Sequence, residues 1–186
     1  MDYETKPLSR IAIRNIATNM RRAFGIFSDD EPFPVLLALD KLSSLFPNTT
    51  YEVVEDTALD GNVFACCMPK PEGGFVIYIK QTVYDGACYE NIPSFLCFIC
   101  HEICYVVLFY LGFTPISNRA ASNTEAIPSF KSVEWQAKAL CGEVTIPYEA
   151  TKGMKAKEIM EKYPVTEASA KYRVKLDKRI SDCYRK

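Results

Sequence analysis

The feature that most constrains this chain is an apolar run at residues 92–111, in which His101 and Glu102 sit side by side near the centre. A helix of that length can cross the hydrocarbon of a bilayer. A histidine and a carboxylate midway along it, with no basic cluster at either end, argue against a membrane span. The run is expected instead to be a helix through the middle of a soluble core, around which every other element must pack. A buried imidazole and carboxylate lose hydration free energy unless something pairs with them. His101 is the sole histidine in the chain, so this pair is the first place to look for chemistry.

On a helix, H-E-x-x-H sets two imidazoles one turn apart to grip zinc and positions the glutamate as general base. Here residues 101–105 read H-E-I-C-Y, and Tyr105 stands at the second histidine position. Helical geometry puts His101 and Tyr105 on one face, Glu102 about a quarter-turn away, and Cys97 and Cys104 flanking the stripe. A third ligand must come from elsewhere. Glu134 is the best candidate, because it opens the next helix and precedes Trp135, a large apolar anchor. As alternatives, His101 and Glu102 read as a hydrogen-bonded core pair, Glu134 as a carboxylate favouring its own helix dipole, and Cys97, His101 and Cys104 as a thiolate-imidazole cluster.

With 186 residues, 48% of them hydrophobic, the chain is long enough for one domain with a sizeable core. Its net charge of −1 gives no general affinity for nucleic acid, but the charge is segregated. From residue 152 onward there are 11 basic and 5 acidic residues, against 11 and 18 before it. The chain is accordingly divided into a main domain, 1–151, and a basic helical extension, 152–186, packed on it. The N-terminal segment lacks the apolar core and cleavage site of a secretory signal. The eight cysteines are therefore expected to be reduced thiols in a cytoplasmic protein.

Along the chain, apolar spacing predicts an amphipathic helix from Leu8 to Ala23, stopped by Gly25, and a second from Pro34 through Leu45. Short β-rich runs follow at 51–55, 62–67 and 75–79, the last two joined as a hairpin. The long apolar helix opens at Pro93 and closes at Gly112 and Pro115. A polar stretch, about 117–129, is a candidate lid beside the site. Helices are predicted over 133–142, 150–160 and 168–179, the last capped by Thr166. The expected class is α+β, with helices packed around a small three-stranded, mainly antiparallel sheet.

The order of these features resembles the ImmA/IrrE family of metallopeptidase-like proteins: a helical start, three strands ending in V-I-Y-I at 76–79, V-Y-D at 83–85, the H-E helix, E-W-Q-A at 134–137 with Ile146 and Pro147, then Y-P-V-T-E-A at 163–168 and Tyr172, Arg173. The resemblance spans roughly Arg10 to Arg179 and implies a zincin-like central helix. It implies that His101 and Glu134 are zinc ligands and Glu102 the catalytic base, with Tyr105 in place of the remaining ligand, so that zinc is held weakly or has been lost. Intact members are associated with mobile elements and stress responses, where they cleave or inactivate helix-turn-helix repressors. The resemblance thus implies a protein partner, met by a degenerate pseudo-enzyme acting as a regulator or by an active zinc metalloendopeptidase. A prophage-type inhibitor of a host defence system is a further alternative. The basic tail, with Lys171, Arg173, Lys175, Lys178 and Arg179, is either a solvated helix face or a nucleic-acid contact.

Overall fold

A computed structural model of the chain describes residues 2–116 and 127–183, with side chains through Lys178. Most of the stretch expected to form a lid lies outside the described residues.

The first helix, α1 (Arg10–Ala23), is capped by Ser9, whose Oγ accepts from the Ala12 N–H at 3.1 Å. Its apolar stripe of Ile13, Ala17 and Met20 is buried, in keeping with the amphipathic spacing. The expected second helix is divided into α2 (Val35–Asp40) and α3 (Leu42–Leu45). Around the break the Lys41 carbonyl accepts from the Ser44 hydroxyl at 2.7 Å and from the Ser44 and Leu45 N–H groups, the local competition that makes serine a poor interior helix residue.

Strands β1 (Thr50–Val54), β2 (Ala65–Pro69) and β3 (Phe75–Lys80) form one sheet in the order β1-β3-β2. The β2–β3 hairpin is antiparallel as expected, whereas β1 runs parallel to β3, so the sheet is mixed. A helix the spacing did not reveal, α4 (Gln81–Tyr89), follows directly. The long α5 (Pro93–Tyr110) opens on Pro93. It ends in a Schellman turn: Gly112, at φ +84°, donates to the Phe109 carbonyl at 2.8 Å and Phe113 to that of Leu108 at 3.0 Å. Among the described residues α5 is the one helix long and apolar enough to cross a membrane, and half of it is buried inside the protein. It packs on β2, β3, α2 and α4, and on α6 (Val133–Thr145).

The expected helix over 150–160 is two short ones, α7 (Tyr148–Thr151) and α8 (Ala156–Lys162). Between them Gly153 adopts φ +81°, a conformation that ends a helix rather than continuing it. The last helix, α9 (Glu167–Cys183), begins where predicted, with Thr166 Oγ1 accepting from the Ser169 N–H at 3.1 Å. The molecule is thus α+β, with nine α-helices among the described residues around a small sheet. The main core joins α1, α2, β3, α4, α5 and α6, while Ile146, Ile159, Tyr163, Val165 and Ala170 form a second, smaller core under α8 and α9.

Candidate functional site

The site lies where α5 faces the start of α6. Helix α6 is fixed at its first turn by two caps: Ser132 Oγ accepts from the Trp135 N–H at 3.0 Å, and the Asp2 carboxylate accepts from Ser132 Oγ at 2.8 Å and from the Glu134 N–H at 3.1 Å. Gln136 is fully buried and donates to the carbonyls of Lys6 and Phe130 at 2.7 and 3.0 Å. The N-terminal segment is thereby tied to the approach of α6, with a β-bridge between Glu4 and Ser132. The E-W-Q-A segment therefore divides its labour. Glu134 enters the site, Trp135 lies under the Arg10 guanidinium at 5.0 Å, Gln136 anchors the chain, and Ala137 is core.

Glu134 is the hub. Its Oε2 accepts from the Tyr105 hydroxyl and lies 3.6 Å from His101 Nε2, while its Oε1 lies 2.7 Å from Lys138 Nζ. His101 first, then Lys138 and Tyr105, hold the Glu134 carboxyl far below the usual carboxylate range against the opposing effect of burial. Burial first, and then the bond to Glu134, push the Tyr105 phenol well above its ordinary value. The phenol is therefore a neutral donor in this arrangement. Glu102 lies apart from this cluster: it is 9% exposed, and its Oε2 accepts from the Cys67 N–H of β2 at 2.9 Å. Burial raises its carboxyl from 4.5 to about 7, partly offset by His101 and the Cys67 N–H. The quarter-turn between His101 and Glu102 thus sends the two side chains to different neighbours.

His101, Glu102 and Tyr105 open onto a cavity of about 1000 Å³, walled also by Phe64, Trp135 and Tyr172. Phe64 stacks on Phe98 with centroids 4.6 Å apart. All four residues singled out from sequence, His101, Glu102, Tyr105 and Glu134, line this one cavity. Cys104 is fully buried and turned to the α5–α6 seam, so the Cys97–His101–Cys104 cluster is not assembled. Helical spacing sets Cys104 about 60° from His101, on the Cys97 side of the stripe, and there the packing of α5 on α6 encloses it.

The donor set can be tested against the zinc ion that the family resemblance implies. A catalytic zinc takes three protein ligands and a water. Here His101 and Glu134 are the two ordinary ligands, Tyr105 presents a proton rather than a lone pair, and the Lys138 ammonium lies against the same carboxylate. Among the described residues no three His, Cys, Asp or Glu side chains converge to hold a metal. The residues as arranged do not fit a catalytic zinc.

Two groups in the site were not singled out from sequence. Lys138 was legible as the i+4 partner of Glu134. The Cys67 N–H is a backbone group on a distant strand, for which no side-chain pattern exists.

What fold and site together define is an α+β protein with an acid–imidazole–phenol cluster between the central helix α5 and the start of α6, lining a large cleft. No family model, curated protein or solved structure matches the chain.

Proposed function

We propose that this chain is a metallopeptidase-like protein of ImmA/IrrE type whose zinc site has become a hydrogen-bonded network, and that it regulates by holding a protein segment in the cleft rather than cutting it. The observation that carries the reading is the Tyr105 hydroxyl donating to Glu134. That bond, together with Lys138 and His101, satisfies the carboxylate without a metal, and it uses the residue standing where a second imidazole would be. The occupant suggested by the family resemblance is a segment of a helix-turn-helix repressor. The aromatic walls at Phe64, Phe98, Trp135 and Tyr172 suit apolar side chains of such a segment.

The test is the metal content of the purified protein by elemental mass spectrometry, in the wild type and in Tyr105→His, without added chelator. The wild type is expected to carry far less than one zinc per chain, and the variant to gain zinc. Near-stoichiometric zinc in the wild type that disappears in His101→Ala would overturn the reading.

One observation favours a second reading, a working hydrolase. The Glu102 carboxyl, raised to about 7, can take or give a proton near neutrality. In that case Glu102→Gln abolishes cleavage of the partner and leaves partner binding intact.

A further inference from the structure

Four cysteines meet on the seam between α5 and α6, beside the site but outside its network. Cys97, Cys100 and Cys104 come from α5 and Cys141 from α6. Cys100 and Cys104 are fully buried, whereas Cys97 is partly exposed and Cys141 is 3% exposed at the cavity wall. Only these two of the four line the cavity. Cys141 Sγ donates to the Cys97 carbonyl at 3.8 Å, which sets the two cysteines side by side across the seam. His101 follows Cys97 by one helical turn.

We propose that Cys97 and Cys141 form a peroxide-reactive dithiol, with Cys97 as the attacking thiol and Cys141 as the resolving one. Geometry carries the assignment: both cysteines line a cavity that admits small solutes, and the Cys141 sulfur lies against the Cys97 backbone, 3.8 Å from its carbonyl oxygen. The environment agrees, since the neighbouring Cys141 holds the Cys97 thiol down at about 7 against burial, with His101 acting in the same direction. Burial instead raises Cys66 and Cys67, with Glu102 adding to the effect. Low-pKa, accessible thiols beside a partner are the ones that oxidise reversibly.

The chemistry balances with a hydroperoxide as the oxidant. The Cys97 sulfur attacks one peroxide oxygen, the O–O bond breaks, the alcohol or water leaves with a proton, and Cys97 becomes a sulfenic acid. The Cys141 sulfur then attacks the Cys97 sulfur, the S–O bond breaks, and the hydroxyl leaves as water with the Cys141 proton. Two thiols are oxidised by two electrons and one peroxide is reduced. The product ties α5 to α6, the two helices that carry His101, Tyr105 and Glu134. This inference goes beyond the proposed function and does not rest on it.

The test uses the full chain, reduced and desalted, exposed to hydrogen peroxide, quenched with an alkylating agent and mapped by peptide mass spectrometry. Expected are an intact mass lower by two hydrogens, a linked peptide pair containing Cys97 and Cys141, and recovery with dithiothreitol. Cys141→Ser is expected to leave a sulfenic acid at Cys97 that dimedone traps, and Cys97→Ser to lose the linked pair. Wild-type protein in which Cys66 or Cys88 is oxidised while Cys97 stays alkylatable overturns the proposal, as does a bridge that omits Cys141. The wild-type measurement decides even if a variant fails to fold.

Discussion

Replacing Glu102 by glutamine isolates the energetic consequence of burying a carboxyl against β2. The folded state raises this group from 4.5 to about 7, with burial as the largest cause. The folded protein therefore binds the proton more tightly than the unfolded chain does. Its contribution to stability is fully present below about pH 4.5 and is lost as pH rises through about 7. That interval corresponds to about 3 kcal/mol by linkage. Glutamine keeps the shape and an oxygen to accept the Cys67 N–H, but has no proton to lose. In urea denaturation of both proteins between pH 4.5 and 8.5, wild-type stability should fall relative to Glu102→Gln by about 3 kcal/mol, with unchanged denaturant slopes. At the alkaline end the variant should be the more stable protein. Other titrating groups move both curves and largely cancel in the difference. A difference that stays flat across this range would refute the argument, because it would mean that Glu102 ionises in the fold as easily as in water.

Tyr105→Phe removes a donor from Glu134, whose carboxylate keeps Lys138, and should cost about 1 kcal/mol in denaturation at neutral pH. Arg173→Ala strips the buried Glu143 carboxylate of its closest cation, at 2.9 Å, and should cost about 3–5 kcal/mol, read as a lower urea midpoint. Gly86→Ala places a methyl 2.5 Å from the Phe95 ring across the α4–α5 contact and should cost about 1–3 kcal/mol, read as a lower melting temperature.

The parts of the fold that the sequence revealed are those with local causes. Pro93 and Gly112 bound α5, Thr166 caps α9, and the period of Ile13, Ala17 and Met20 gives α1 its buried face. The missed parts depend on distant neighbours. Helix α4 carries Gly86 in its interior, which argues against a helix until Phe95 is seen to fill the space where a side chain would stand. The direction of β1 is set by how the chain returns to the sheet through β2, and a run of β-formers has no direction of its own. In the site, the spacing of His101 and Tyr105 was plain, and Glu134 was legible from its place at the start of the next helix before Trp135, a choice the family resemblance reinforced. Glu102's partner could not be read at all, being a main-chain N–H presented by the edge of β2.

The basic tail shows how tertiary structure decides which reading of a charge cluster survives. Arg173 belongs by sequence with Lys171, Lys175 and Lys178, yet it is 3% exposed and points inward. Its guanidinium meets both Glu143 oxygens, at 3.1 and 2.9 Å, and donates to the carbonyls of Gly142 and Ile146. Arg14 joins from α1, 3.5 Å from Glu143 and stacked on Tyr148 at 3.6 Å. A buried carboxylate ringed by arginines from both ends of the chain locks α9 onto α6, so the tail's most committed cation serves docking rather than phosphate. Lys171 is engaged with Glu167 at 2.7 Å, which leaves Lys175 and Lys178 as exposed charges of α9 among the described side chains. Two lysines three positions apart make a small electrostatic footprint. Tyr172 and Leu176, by contrast, line the same cleft as His101 and Glu134. The consequence of docking α9 is therefore to complete the wall of the cleft.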